Sequence, residues 1–534
     1  MVAHHHEHCR EYYFLFNHYI LIVQEKKDYI LDFTADPTLK ERKATITPRP
    51  SKSLLQSPLI YVVLLFVSVG IGFSFSIFGP VFGFLVIGMA IGVPTVLYSL
   101  VNLKFGIIVL LIISYFLQGL NRVSSGVPLG IVLDVFLVVM LIGLLIRKWQ
   151  ANDYNLAKGP ISYVVWAWII YNVLEFFNPV ANTQAWIFVI RGIAILMIFY
   201  FIILDAIDNM AFFKVLLNMW IVLSLICGLY GLFQEFHGLL PFEKSWVAAD
   251  EFRYKLIFNW GRYRIFSFLN DPTVFGVLMS FSGLLCITLL TGPFKFLYKV
   301  FLGFSALVML LAMVYAGTRT AYAMLPAGFI FYALLTFQTR TLAFAAFGLA
   351  VGAAIIFSDV RSVGPFLSTN SLERIRSAFK PSEDPSFQVR ERSQEFIKPY
   401  IHSHPFGAGL GSIGIWGQRF NPGSPLSSFA PDSGFVRVAV ELGWVGLLLY
   451  CAFFAVILIV GIRNYYRMRS PELKAYMAAL VAVVFSIVIG NYPQQVLIQV
   501  PNVLIFYAIM AMIVRLRELD KVTTIQQNNP YENF

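Results

Sequence analysis

Charge is the scarcest property of this 534-residue chain. Asp, Glu, Lys and Arg make up 13% of it, while 58% of the residues are hydrophobic and 16% aromatic. A soluble chain carries about 25% charged and roughly 45–50% apolar residues, so the shortage excludes disorder, a coiled coil and a conventional soluble enzyme. It also excludes dividing the length into soluble domains of about 150 residues each. Cysteine is scarce too: Cys9, Cys227, Cys286 and Cys451 show no paired spacing. The last three lie inside apolar runs and read as small buried apolar residues. The alternating segments of about 10 residues that a β-barrel needs are also lacking.

What is present is a series of unbroken apolar runs, each about 20 residues long. In hydrocarbon, backbone polar groups must be satisfied within a helix or a closed barrel, so the fold class is all-α: a polytopic integral membrane protein. Fourteen spans are expected, near 59–78, 81–101, 104–118, 129–146, 160–177, 186–204, 212–236, 273–290, 296–316, 320–338, 341–357, 438–460, 474–490 and 502–514. More than fifty polar and mixed residues precede the first run, so a retained helix is expected there, not a cleaved signal.

The net charge of +11 does not point to nucleic acid, because Lys and Arg lie between the apolar runs. There they set orientation in the membrane. Lys26, Lys27, Lys40, Arg42, Lys43, Arg49 and Lys52 favour a cytoplasmic N-terminal segment, 1–57. The same side then holds Arg147, Lys148, Lys158, Lys295, Lys299, Arg463, Arg467, Arg469 and Lys474, and a tail, 515–534, with Arg515, Arg517 and Lys521. Membrane helices are expected over 58–236, 273–357 and 438–514. Two long external connections remain, 237–272 and 358–437. Loops beyond about 15 residues are usually functional or disordered; the second holds two helix-like stretches, from Ser371 and from Val389 to Ser403, so folded structure on the outer surface is expected.

Four polar segments fall at that outer face. In Gly261–Gly276, Arg262 and Arg264 point the same way if the chain is extended, and Asn270-Asp271-Pro272 reads as a capped helix start. These arginines either anchor a re-entering span on lipid phosphate or serve a site. In Ala316–Tyr322, Arg319 either snorkels to the interface or is aimed into a polar cavity. In Val389–Phe396, Arg392 and Phe396 lie one turn apart on one helix face. Gly409, Gly411 and Gly414 follow, matching a dinucleotide-binding spacing without the strand and βαβ unit it needs. They read as a bend that admits a ligand, or as a turn. In Pro431–Gly446, Asp432 is a natural N-cap at the head of an apolar helix, which does not exclude a chemical role.

The order of these segments resembles the O-antigen ligase and O-antigen polymerase (Wzy-like) superfamily of bacterial envelope proteins. The resemblance covers about Gly261 to Gly446. Ligases of that family end their large periplasmic loop in a histidine, a small polar residue, nine others and Gly-x-x-Gly. Here Asp432 and Ser433 precede nine residues and then Gly443 and Gly446, so the spacing is kept and the histidine is replaced.

The resemblance implies a transferase that moves a glycan from a polyprenyl-diphosphate donor to a hydroxyl of a glycan or lipid-linked acceptor. It implies an inner-membrane location with both termini cytoplasmic and a periplasmic active site, in contact with membrane lipid and with other polysaccharide-assembly proteins. Diphosphate leaves readily and asks for cations, which arginine's planar fork supplies. Arg264, Arg392 and Arg319 are therefore expected at the diphosphate. Asp432 is expected to orient or deprotonate the acceptor. No metal and no cofactor is expected. The missing histidine favours polymerisation of O-antigen, capsule or exopolysaccharide repeats, the alternative being a ligase acting on lipopolysaccharide core.

Other signals are weaker. His4, His5, His6 and His8 beside Cys9 read as a tail before they read as a metal site. Asp134 and Glu175 fall inside spans without an evident intramembrane cation, and helix-packing hydrogen bonds account for them as well as an ion path does. Arg191 either joins the diphosphate site or snorkels, and His402 and His404 are alternative bases in what reads first as a turn. A secondary transporter is the rival class; it would place its polar residues at mid-membrane in corresponding halves.

Overall fold

The computed structural model describes residues 88–123, 130–153, 159–259, 261–357, 376 and 385–528, with 62, 65, 66, 68–70 and 72. By its contacts the chain forms two units, Met1–Ile87 and Gly88–Phe534. The few described residues of the first are helical; the second carries everything below. The span expected at 59–78 lies largely, and the histidine-rich tail, Cys9 and the stretch from Ser371 almost wholly, outside the described residues.

Among the described residues nine helices are long and apolar enough to cross a membrane. They match nine of the expected spans. Helices Arg319–Thr336, Thr339–Phe357 and Asn502–Asn528 cover three more, and Gly88–Val101 covers the second half of the span expected at 81–101. We label the elements that build the site in chain order: α1 (Met210–His237), α2 (Pro241–Ala248), α3 (Glu251–Ile257), α4 (Pro272–Leu290), α5 (Phe296–Ala316), α6 (Arg319–Thr336), α7 (Pro385–Ser403), α8 (Gly434–Glu441), α9 (Gly443–Arg467), α10 (Pro471–Gly490) and α11 (Asn502–Asn528).

Helix α4 is the centre of the bundle. Its most apolar stretch is 83% buried and that of α10 is 72% buried, against 33–50% for the other spans. It packs on α5, α6 and α10. Hydrocarbon gives helices no hydrophobic reason to associate, so close approach at small residues and hydrogen bonds between helices must hold them. Both are visible. A side chain at Gly328 of α6 would collide with Leu284 of α4, and one at Gly461 of α9 with Val481 of α10. Ser280 Oγ donates to the Ala321 carbonyl at 2.9 Å, and Ser486 Oγ to that of Met324 at 2.9 Å.

The described parts of the long connections are folded. Residues 238–271 carry α2, α3 and a two-stranded ribbon, Phe258–Asn259 with Arg262–Tyr263, over a small core of Leu239, Val247, Ile257 and Phe266. The second connection has its own core of Ile397, Ala408, Ile413, Leu426, Phe429 and Val440 under α7 and α8. The expected α7 is present. Cys227 and Cys286 are buried thiols, but Cys451 is exposed on α9, a correction to its reading as a buried residue.

One intramembrane reading is also corrected. Asp134 does have a cation: Arg191 Nη1 lies 3.0 Å from its carboxylate. Arg191, which opens a π-helical turn, Arg191–Ile195, in its own helix, is thereby tied to the neighbouring helix Gly130–Gln150. Neighbours far apart in sequence made this pair invisible to local patterning. Glu175 is buried and accepts from Asn178 Nδ2 at 2.9 Å, and the same amide reaches the Phe406 carbonyl at 3.1 Å.

Candidate active site

Three of the four polar segments singled out in the sequence, 261–276, 316–322 and 431–446, are joined by side-chain contacts and a shared cavity, while the segment 389–396 packs on α8 and α9. Asp271 caps α4 as its sequence suggests: its carboxylate accepts from the amides of Thr273 at 2.7 Å and Val274 at 3.0 Å, and Pro272 follows as the first helical residue. The stretch before this cap is held by residues that local reading missed. Buried Arg122 donates to the carbonyls of Ser267, at 2.7 Å, and Leu269, and it lies 3.5 Å from buried Glu243. Gln234 Oε1 accepts from the amides of Phe266 and Ser267. Arg122, in the last turn of its span, carries the only sequence hint of this clamp.

Arg262 and Arg264 do point the same way, both towards the α5–α6 corner. Arg262 pairs with Glu235 at 3.2 Å and donates to the Tyr315 carbonyl at 3.1 Å. Arg264 is buried, 9% exposed. Its Nε donates to the Ala316 carbonyl at 2.9 Å, and its two terminal nitrogens reach the carbonyls of Leu256 and Gly317 at 3.3 Å and Thr318 Oγ1 at 3.2 Å. Thr318 Oγ1 donates in turn to the Pro272 carbonyl at 2.8 Å. A left-handed Gly317, φ 64°, makes this corner possible, and half-buried Arg319 begins α6 directly after it. The guanidinium of Arg264 thus fastens the turn that presents Arg319.

On the other side, Ser433 caps α8, accepting from the Val436 amide at 3.4 Å. The cap was expected at Asp432, which is instead exposed, one residue outside the helix. Backbone packing selects the serine: the Gly434 amide donates to the Asn491 carbonyl at 3.0 Å, and any side chain at Gly434 would strike Asn491. Gln495 completes the fastening, donating to the Pro431 carbonyl and accepting from Arg437 Nη1 at 3.0 Å.

The glycine-rich bend brings backbone against backbone. Ala408 and Gly409 amides donate to the carbonyls of Val440 and Glu441 at 2.9 and 2.8 Å. Gly407 and Gly443 are both left-handed, φ 73° and 68°, and each fills the space where a side chain on the other would sit. Of the two readings of the bend, the turn describes what is seen. His404 follows the last residue of α7, with Nδ1 3.0 Å from the Tyr400 carbonyl and its ring stacked 4.0 Å above Tyr400; burial raises the Tyr400 phenol above its ordinary pKa. His402, Arg392 and Phe396 are exposed. Helix α7 packs on α8 and α9, but no described contact joins Arg392 to the corner that holds Arg264.

Between the two halves lies a cavity of about 380 Å³. Asp432 and Asp271 face it from opposite connections, with Leu256 and Thr273, and the segment 494–502 between α10 and α11 supplies Gln494, Gln495, Gln499 and Asn502. That segment was read as a plain connection. Its signal was a run of neutral amides between Pro493 and Pro501, longer than a turn between two spans requires.

Residues 304–451 match the family model described as O-antigen ligase. Over that stretch, somewhat more than a quarter of its length, the chain is similar to the O-antigen ligase family. No curated protein is matched by the chain. The matched stretch supplies the Tyr315–Arg319 corner, Arg392, the glycine bend, Asp432 and the Gly443–Gly446 pair. Arg262, Arg264, Asp271 and the amide-rich segment lie outside it, so the cavity is built jointly by the matched region and its flanking segments.

Proposed function

We propose that this multi-pass membrane protein transfers glycan from a polyprenyl-diphosphate carrier to the hydroxyl of an acceptor sugar, at the periplasmic face of a bacterial inner membrane and without a metal. Polymerisation of repeat units is favoured over ligation to lipopolysaccharide core, because Asp432 stands where the ligases carry a histidine. The observation that carries the reading is the cavity, which is lined by Asp432 and by Leu256, whose carbonyl accepts from Arg264.

In this reading the acceptor hydroxyl gives its proton to Asp432 as its oxygen attacks the anomeric carbon. The bond from that carbon to the diphosphate breaks, and the diphosphate departs with the electron pair. Cations stabilise that developing charge in a site of low dielectric. Arg319 and Arg392 supply them, and Arg264 acts chiefly by holding the corner from which Arg319 projects. Arg262, partnered by Glu235, supports the same corner.

The experiment is transfer by the purified full-length protein supplied with a polyprenyl-diphosphate oligosaccharide that serves as donor and acceptor. Growth of the glycan by one repeat unit, lost in Arg319→Ala and Arg392→Ala, supports the proposal. No growth with any envelope glycan, together with uptake of one into proteoliposomes, would favour the transporter.

A further inference from the structure

The lining of the cavity has a chemistry that the donor diphosphate does not suit. Among its described lining residues there is no Lys, Arg or His, and two are carboxylates, Asp271 and Asp432. Like charge at close range would repel a diphosphate. What the cavity does offer is amides. The side-chain oxygens of Gln494, Gln499 and Asn502 are buried without a hydrogen-bond partner. Native proteins leave few buried polar groups unpaired, so each one asks for an explanation.

Three such oxygens on one cavity wall have a common explanation in a missing ligand that donates hydrogen bonds. Asn502 is the firmest of them. It is 1% exposed, and its Nδ2 donates to the Val274 carbonyl at 3.3 Å, which leaves its oxygen as the outstanding acceptor. Val274 and Val277 add an apolar patch beside these groups. Clustered acceptors next to an apolar patch suit a sugar ring, with hydroxyls at its edge and C–H groups on its faces. The volume of about 380 Å³ lies at the small end of ligand pockets, which span roughly 300–1,000 Å³. That matches a sugar ring better than a whole repeat unit.

We infer that this cavity binds a neutral sugar through Gln494, Gln499 and Asn502, and excludes both the donor diphosphate and acidic sugars. Resting on the proposed transfer, it is the acceptor subsite, and the diphosphate lies outside it on the arginine side. Gln495 connects recognition to chemistry, since the segment that reads the sugar also holds the Pro431 carbonyl next to Asp432. An acceptor ending in a uronic acid is therefore a poor substrate.

The test reads binding with no donor present, by saturation-transfer NMR on the full-length protein in detergent. The probes are methyl β-galactoside and glucuronate, with inorganic pyrophosphate as competitor. The galactoside is expected to take up saturation, glucuronate not, and equimolar pyrophosphate to leave the galactoside signal in place. Gln494→Ala and Gln499→Ala are expected to lower that signal at least fivefold. Gln494→Lys is expected to gain glucuronate binding, a result that unfolding cannot produce. The inference is overturned if no galactoside signal appears, if both alanine variants keep it, or if glucuronate or pyrophosphate competes in the wild type. A protein that passes yet transfers no glycan overturns only the catalytic reading, and one that transfers glycan but fails overturns only the subsite.

Discussion

Arg264 Nε donates to the carbonyl of Ala316 at 2.9 Å, joining the segment that leads into α4 to the corner between α5 and α6. An arginine that reads in sequence as a ligand for phosphate is thus engaged by the protein's own backbone. Its removal would leave several buried carbonyls unpaired, at about 1–3 kcal/mol each. Arg264→Ala should lower the apparent melting temperature by several degrees and reduce transfer together with it. Arg264→Lys should not rescue either, because an ammonium cannot reach four acceptors in the plane of a fork. Arg392→Ala, on an exposed helix face, should reduce transfer while leaving melting unchanged. Thermal unfolding in detergent, compared with transfer rates, checks all three.

The Arg262–Glu235 pair gives a second test. Their side chains are 23% and 17% exposed, enough shielding for measurable coupling. A double-mutant cycle over Arg262→Ala and Glu235→Ala should give a coupling of roughly 0.5–2 kcal/mol. Strict additivity would mean that the pair contributes nothing to the corner.

Glycine substitutions should grade by backbone contact. Gly443→Ala puts a methyl onto the Pro405 carbonyl at a left-handed residue, and should abolish folding or activity. Gly414→Ala meets open space but keeps a φ of 62°, a strain of about 1–2 kcal/mol. Gly423→Ala has neither problem and should be silent. Expression yield and melting temperature of the three variants should fall in that order.

Orientation is checked by chemical labelling. Gly423→Cys, in a chain whose four native cysteines are replaced, should react in intact cells with an impermeant maleimide. Reaction only after lysis would invert the proposed topology.

What the sequence made legible was local. The spans follow from unbroken apolar runs, and the Asp271-Pro272 cap follows from residue types that satisfy their own helix end. Even the shared direction of Arg262 and Arg264 came from the alternation of an extended chain. What stayed hidden was set by partners distant in sequence. Arg191 and Asp134 lie on different helices, and Arg122 reaches segments more than a hundred residues away. The choice of Ser433 over Asp432 as a cap was undecidable locally, since both are good capping residues. The contact between Gly434 and Asn491 settles it from another connection. The Gln494–Asn502 segment escaped notice because its signal lay in the length of the connection and its neutral amides, not in periodicity or charge.

The proposed role of Asp432 as the group that takes the acceptor's proton is tested most directly by the single-turnover transfer rate of Asp432→Asn against Ser433→Ala. General base catalysis is worth about 10²–10⁴ in rate. Asp432→Asn should therefore lose at least a hundredfold in rate with its melting temperature intact, whereas Ser433→Ala should lose stability by about 1 kcal/mol and keep most of its rate. Transfer by Asp432→Asn at the wild-type rate would contradict the account.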